Sequence, residues 1–528
     1  MGDYVNPGVE KFEMSLGSEI YIDKSNLIAK TNARIRTRQR FICVSRPRRF
    51  GKTMAAEMLA AYYGAEDSAG GLFDDLNIAQ HSSYLKHLNQ YTVLMINIQE
   101  FLSQASSVTR MIENLQTMII EELVEEYPEI KYKDGDSLIQ VMKDVHRGTK
   151  QPFVILLDEW DCLFREYKDD LVAQKEYLDF LRLWLKDQVY VGLAYMTGIL
   201  PIKKYGTHSA LNMFEEYSMI DPEPFMEYFG FTSTDVEQLC MRFGVDIDEV
   251  KAWYNGYFVE LGIPIYNPTA VVHCMTRKRI GNYWNTTETY EALKDYVIFD
   301  FDGLKDKVVN MVAGGKVYVD TRSFANDMTT FQSADDILSL LIHLGYLSYH
   351  FEEKMARIPN QEVKSEFVTV IKSLKWSSVV DAIRASEKLL KSIWRLEAAE
   401  VAIGVADVHE RNTSILKYND ENALSCVISL ALFIAAEYYT IVREFPAGKG
   451  YADLVYIPRK KFADKPAMIV ELKWDQTVEG AIHQVKKKHY VGALDEYQGS
   501  LLLVGINYDK ETKTHNCIIE SFDYSVKC

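Results

Sequence analysis

The chain has 528 residues, with 59 Lys and Arg against 75 Asp and Glu, a net charge of −16, and 48% hydrophobic and 25% charged residues. That length allows about three folding units, and the balance excludes disorder, collagen and an extended coiled coil as the main theme. The acidic excess excludes a protein that coats nucleic acid through its overall field, so a phosphate partner must meet local basic clusters or a metal ion. Seven Cys with no C-x-x-C pair argue against a disulfide framework or a structural zinc and fit a reducing cytosol. The longest notable apolar stretch, Cys426 to Ala436, falls short of the roughly 18–20 residues a bilayer requires. The first residues lack a basic-then-apolar leader, and Asn6 stands where a myristoylation pattern wants Ser or Thr. A cytoplasmic protein with no membrane partner is expected.

In chain order, the first third alternates short apolar runs with helical stretches. Phe41–Val44, Val93–Ile98, Phe153–Leu157 and Val189–Tyr195 are runs of the kind a parallel sheet buried on both faces requires. A doubly wound α/β domain is expected over residues 1–220. From Asp221 the texture changes to helical segments broken by aromatic turns, Trp253–Tyr257, Tyr266–Pro268 and Tyr283–Asn285. Asp335–Leu344 reads as a helix stopped by Gly345 that runs on into a strand. The region 221–372 is therefore expected to be mostly helical. A third unit, 373–528, shows two long helical patterns, then strands at Tyr438–Glu444, Ala452–Ile457, Ala467–Leu472 and Leu501–Ile506. A helix around Glu479–Tyr490 completes an α/β sandwich.

Two groups of residues carry chemistry. After the Phe41–Val44 strand comes Ser45-Arg-Pro-Arg-Arg-Phe-Gly-Lys-Thr53, whose Gly51-Lys52-Thr53 matches the end of G-x-x-x-x-G-K-[ST], with Arg46 at the first glycine's place. In such a P-loop, backbone N–H groups and the helix N-terminus surround phosphate, Lys52 reaches the β/γ oxygens and the Thr53 hydroxyl ligates Mg²⁺. Gly-Lys-Thr is also a common surface turn; the strand before it and the helix after it favour the cradle. The run ending in Asp158-Glu159 has the Walker B form, with Asp158 for the Mg²⁺ shell and Glu159 to polarise the attacking water. The two strands are expected to be neighbours in one sheet. Thr197, ending the next strand, is either a γ-phosphate sensor or a simple cap. Eight basic residues and no acid lie between Arg34 and Lys52. They are either a solvated face, or Arg46, Arg48 or Arg49 neutralises phosphate, in cis or, in an oligomer, on a neighbouring subunit.

The second group lies in the third unit. Asp453 opens one strand, and the next ends in Glu471-Leu-Lys473, where period-2 alternation puts Glu471 and Lys473 on one face. If the strands pair, Asp453 and Glu471 share a divalent cation, while Lys473 orients or deprotonates a water and stabilises charge on a scissile phosphate. Gln484, with Lys488 one turn on, is expected to face the same cleft, and Glu421 on the preceding helix is a further metal acid. A bare E-x-K is common as an exposed ion pair; the order Glu, Asp, E-x-K, Gln is far more restrictive. Arg459-Lys-Lys461 and Lys486-Lys-Lys488 are either solvated faces or guides for a nucleic-acid backbone.

These residues resemble a bacterial family of AAA-ATPase-like proteins with a C-terminal PD-(D/E)XK nuclease domain. Tyr21–Lys24, Ser45–Thr53, Leu157–Asp161 and Thr197-Gly198 look like its ATPase half. Trp253–Tyr257, Tyr266–Pro268, Tyr283–Asn285, Gly345–Leu347 and Ile358–Asn360 look like its middle region, and Gly450–Asp453, Glu471–Lys473, Gln484 and Tyr490 like its nuclease domain. The resemblance implies a P-loop NTPase parallel sheet with helices on both faces, a helical, winged-helix-like middle region and a restriction-endonuclease-like α/β domain. In that family an arginine-rich cradle lacking the first glycine is usual. Trp160 replaces a common Tyr, and Tyr451 replaces an Arg that the family often carries beside the metal Asp. The implied protein binds and hydrolyses ATP with Mg²⁺ and cleaves nucleic acid, DNA before RNA, with Mg²⁺ or Mn²⁺. The competing readings are an ATP-dependent switch whose nuclease-like domain binds without cutting, and an ATPase that acts on proteins.

Overall fold

The structure, a computed structural model, describes residues 2–65, 71–133, 135–205, 208–209, 211–258, 262–284, 302–326, 328–329, 331–373, 377–412, 421–432, 434–447, 450–459, 462–487 and 500–522. The chain divides into two compact units: Met1–Leu239 with Tyr257–Val272 and Val319–Ala356, and Cys240–Gly256 with His273–Tyr318 and Arg357–Cys528. Segments of the region 221–372 fall in both units. Where described, that region is mostly helical, with Ile247–Tyr254, Leu304–Val312 and Ala334–His343, and it also carries a small sheet of Val317–Tyr318, Met355–Arg357 and Ser348–His350 and a pair of Phe231–Thr232 with Ile265–Tyr266. The helix Ala334–His343 ends at Gly345, whose φ of 85° is the left-handed backbone that stops a helix at little cost.

In the first unit, β1 (Phe41–Ser45), β2 (Thr92–Asn97), β3 (Phe153–Asp158), β4 (Val191–Gly198) and β5 (Glu215–Tyr217) form one sheet in the order β2-β3-β4-β1-β5. Every neighbouring pair is parallel. All residues of β1, β3 and β4 are buried, the double-sided burial that their Val/Ile/Leu runs announce. Helices α1 (Lys52–Tyr63), α2 (Val108–Glu126), α3 (Leu138–Thr149) and α4 (Leu171–Leu185) occupy the crossovers. The strands that end in the two motifs, β1 and β3, are not neighbours as expected: β4 lies between them. A parallel strand needs a long crossover, so adjacency in sequence leaves spatial order open, and β3 and β4 are equally apolar. The motif-bearing ends still converge, since Val44 pairs with Thr197 and Leu157 with Met196.

In the second unit, β6 (Tyr439–Ala447), β7 (Gly450–Pro458), β8 (Ala467–Trp474), β9 (Leu501–Asp509) and β10 (Thr514–Phe522) follow one another across a sheet. All pairs are antiparallel except β8 with β9. Helices α5 (Ser377–Trp394), α6 (Ala398–Asn412) and α7 (Glu421–Ala431) precede this sheet. Leu424, Val427 and Ile428 of α7 share one core with Leu454, Val470 and Leu472. The parallel β8–β9 pair requires a crossover, and α8 (Val478–Lys487) provides it. Ile482 of α8 packs with Ile469 and Leu503 on the opposite face. The edge strand β10 was not anticipated, because its Thr-His-Asn-Cys-Ile-Ile-Glu-Ser-Phe mixes polar and apolar residues without a clean period.

Candidate functional site

The loop between β1 and α1 has Arg49 at φ 69° and Gly51 at φ 87°, and α1 begins at Lys52 with no side-chain cap on its first turn. Uncapped N–H groups and the helix dipole together suit an anion. Lys52 is buried, its Nζ donating to the carbonyls of Arg46 and Pro47, each at 3.0 Å. Burial pushes its pKa down, against the opposing pull of Glu159 and Asp158. The ammonium closes the loop on itself and feels the charge of the carboxylates at the end of β3.

Asp158 ends β3, and its carboxylate gathers the other motif residues. Oδ2 accepts from the Thr53 hydroxyl at 2.6 Å, and Oδ1 accepts from the Thr197 hydroxyl and from the Glu159 N–H at 3.0 Å. Thr53, Asp158 and Thr197 thus meet, although they come from α1, β3 and β4. Glu159 takes a left-handed φ of 52° and pairs with the Arg165 guanidinium. A role toward an attacking water requires that pair to open. Arg165 Nε also lies 3.4 Å from Asp161, a wholly buried acid whose Oδ2 accepts from the N–H groups of Ile199 at 3.1 Å and Leu200 at 2.8 Å. Burial raises the Asp161 pKa, which the neighbouring Arg165 opposes. Arg165 was not singled out from the sequence, and Asp161 only as the end of the Leu157–Asp161 stretch, with no role; the i, i+4 spacing of an acid and an arginine just after Asp158-Glu159 was the available signal.

The arginines of the loop separate. Arg49 is exposed and Arg48 half-buried, which leaves both within reach of a ligand. Arg46, one of the three candidates for phosphate, turns inward: it is wholly buried and donates to the carbonyls of Ser45 and Tyr217, each at 2.8 Å, and of Pro222 at 3.3 Å. Its two terminal nitrogens find acceptors inside the fold because the loop turns its side chain inward, while Nε is buried without a partner among the described residues. Arg34, Arg36, Arg38 and Arg40 precede β1 and so lie at the end of that strand away from Gly51.

The second site lies in the other unit. β7 and β8 pair with Leu454 against Val470 and Val455 against Ile469, a register that sets Asp453 across from Glu471. The Leu472 N–H donates to Asp453 Oδ2 at 2.7 Å. Glu471 is wholly buried, and Lys473 Nζ stands 3.3 Å from its Oε1. Burial first, and the nearby Asp453 charge second, push Glu471 up to about 7. Sequence reasoning missed two neighbours on β9. Gly505 pairs with Glu471, and a Cβ there would lie 3.0 Å from the Val478 carbonyl, so its bare backbone lets α8 lie against the sheet beside the acid. Asn507, buried and paired with Lys473, accepts the Gln476 N–H at 3.2 Å.

Gln484 lies on α8 and Glu421 opens α7, but their side chains fall outside the described part, as does that of Tyr451 on β7. Lys460, Lys461, Lys488 and Tyr490 lie outside the described residues. Arg459 stacks over the Trp253 ring at 5.0 Å. Two carboxylates with no thiolate or imidazole are hard oxygen donors, and that set fits Mg²⁺ or Mn²⁺. Among the described residues no group of three or more His, Cys, Asp or Glu is placed to hold a metal.

The raised acid gives a pH dependence. In the metal-free fold Glu471 holds its proton up to about 7, against 4.5 ordinarily, so the fold binds it more tightly than the unfolded chain does. That contribution to stability is full below the ordinary value and is lost as pH rises through about 7. A divalent cation that displaces the proton offsets the loss. Mn²⁺ is therefore expected to raise the thermal midpoint more on the alkaline side of neutrality than on the acid side, by differential scanning fluorimetry. An equal shift on both sides argues against cation binding at Glu471.

Among the described residues no cysteine is in a disulfide, and no helix is long and apolar enough to cross a membrane. Comparison with known proteins gives two family matches. Residues 7–207 match the family described as "Predicted AAA-ATPase", and residues 419–517 the "PD-(D/E)XK nuclease superfamily". The chain is 24% identical over 351 residues to the "Uncharacterized protein in vnfD 5'region" of Azotobacter chroococcum mcd 1, a match that spans 61% of each protein. Solved structures with some likeness include the Aeropyrum pernix ORC2 protein (ADPNP-ADP complexes), at TM-score 0.28 and 9% identity over 67% of this chain and 97% of that one. Cdc6p from Pyrobaculum aerophilum gives TM-score 0.19 and 9% identity over 66% and 93%. Both scores are too low to carry an argument. The sheet that gathers Thr53, Asp158 and Thr197 and the strand pair that gathers Asp453, Glu471 and Lys473 fall within the two matched stretches: residues 7–207 form an AAA-ATPase-like domain, and residues 419–517 a domain of the PD-(D/E)XK nuclease superfamily.

Proposed function

We propose that the first unit binds and hydrolyses Mg·ATP, and that the C-terminal domain cleaves nucleic-acid phosphodiesters with a divalent cation, DNA in preference to RNA, in the cytoplasm. The observation that carries the nuclease half is the meeting of Asp453, Glu471 and Lys473 on two paired strands. An exposed structural ion pair has no reason to bury a carboxylate beside both a second acid and an ammonium. Asp453 and Glu471, with Glu421 from α7, would hold the cation, which when bound supplies charge stabilisation to the phosphodiester. The Lys473 ammonium orients the attacking water or, once it has lost a proton, takes one from it as the neutral amine, and Gln484 helps to place that water. A non-cutting switch does not need a buried Glu471 and Lys473 with the half-buried Asp453 beside them.

In the ATPase half, Thr53 and Asp158 would hold Mg²⁺, Lys52 turns from the loop carbonyls to the β/γ-phosphates, and the bare backbone at Gly51 lets phosphate approach. Arg48 or Arg49 neutralises phosphate charge. Glu159, released from Arg165, polarises the water, and Thr197 reports on the γ-phosphate through its bond to Asp158. The test supplies the purified protein with plasmid, linear DNA and RNA, with and without Mg²⁺ or Mn²⁺, and follows ATP turnover alongside. Cation-dependent cleavage of DNA together with ATP hydrolysis is the expected outcome. Intact nucleic acid under every condition overturns the nuclease half, and absence of nucleotide turnover overturns the other.

A further inference from the structure

Arg46 stands where a P-loop usually has its first glycine, and its surroundings are unlike those of a phosphate ligand. It is among the largest wholly buried side chains in the protein, and its guanidinium faces the rings of Phe229 at 5.4 Å and Phe258 at 5.8 Å. Among the described residues no carboxylate balances it; its terminal nitrogens donate to the Ser45, Tyr217 and Pro222 carbonyls. Its own backbone works on the other side: the N–H donates to the Gly198 carbonyl at 3.0 Å, and the carbonyl accepts Lys52 Nζ at 3.0 Å. The far end of the loop is tied to the same surroundings. The Phe50 carbonyl accepts the Gly230 N–H at 3.2 Å, and the Phe50 ring meets Tyr257 edge-on at 5.4 Å.

We infer that Arg46 is a positioning residue of the nucleotide site: from beneath, it fastens the phosphate loop to the Tyr217–Gly230 segment and to Phe258, and so fixes where Lys52 and the loop N–H groups point. This rests on the ATP-binding reading above. The geometry explains how an arginine takes a glycine's place. The usual glycine keeps side-chain atoms off the phosphates, and here the side chain leaves the loop on the inner side, so the outer face stays clear. A planar fork that reaches three separate carbonyls while its faces meet rings is also a task that lysine performs poorly.

The role differs from a direct phosphate contact in what it does to ADP. A side chain touching the γ-phosphate weakens ATP and leaves ADP alone, whereas a loop that loses its fastening loses both. The experiment titrates the full chain, wild type, Arg46→Lys and Phe229→Leu, with fluorescent ATP and ADP analogues, and records the thermal midpoint of each without nucleotide. Arg46→Lys is expected to weaken both nucleotides by about tenfold or more, and Phe229→Leu, which keeps the arginine, by a smaller factor in the same direction. Folded Phe229→Leu and Arg46→Lys proteins with wild-type affinities overturn the inference and leave a merely structural arginine. Weakening confined to ATP overturns it in favour of direct contact. Should Arg46→Lys fail to fold, Phe229→Leu alone decides between these outcomes. Wild-type protein that binds neither nucleotide brings down the ATP-binding reading itself, a result distinct from normal binding by both variants.

Discussion

Replacing Lys473 by methionine is expected to lower cation-dependent cleavage by about 10²–10⁴-fold, the range for removal of a positioned proton-transfer or charge-stabilising group. The ammonium lies 3.3 Å from Glu471 Oε1, and both side chains are buried, so its charge acts where water does not screen it. Methionine keeps most of the stem volume. Breaking a buried ion pair ordinarily costs several kcal/mol because the remaining charge is stranded. Glu471 escapes that fate, because a carboxyl already held near 7 takes up a proton when its cation partner goes. The thermal midpoint of the metal-free variant should therefore stay close to wild type while cleavage collapses. Gel-based cleavage of plasmid DNA, compared with Asp453→Ala, measures this. Equal activity in all three preparations assigns the cutting to a contaminant.

Asp158→Asn is expected to lower ATP turnover by about 10²-fold or more, the scale of losing one charged group that stabilises the transition state. The substitution keeps the shape at the end of β3. Thr53, Thr197 and the Glu159 N–H all donate to this carboxylate, and hydroxyls turn to accept from an amide where it now donates. What is lost is the negative charge that would face Mg²⁺. Nucleotide binding without Mg²⁺ is then retained, while turnover and the affinity gained from Mg²⁺ fall together. Steady-state phosphate release, with and without the cation, separates these. Full turnover in Asp158→Asn excludes this acid from the ATPase centre.

The parts of the fold that were readable share a physical cause. Phe153–Leu157 and Ala467–Leu472 are apolar runs that only a doubly covered strand tolerates, so their existence and type were plain. Their spatial order was not, because crossovers through helices erase adjacency; hence β4 between β1 and β3. The division of residues 221–372 between two units was equally hidden, since it depends on contacts distant in sequence. In the sites, period-2 alternation was enough to put Glu471 and Lys473 together, and the hydrogen-bonding register then brought Asp453 across. The inward turn of Arg46 was illegible, because its acceptors are backbone carbonyls some 170 residues later, which carry no side-chain signature. Gly505 likewise declares itself only when α8 lies over it.

The bond from the Leu472 amide to Asp453 has an evolutionary corollary. Main chain from the neighbouring strand aims this acid, and that bond does not depend on which side chains surround it. On the proposed nuclease reading, a descendant that had lost the ammonium would keep the same strand geometry, so the residue at position 473, rather than preserved shape, would mark a relative able to cut.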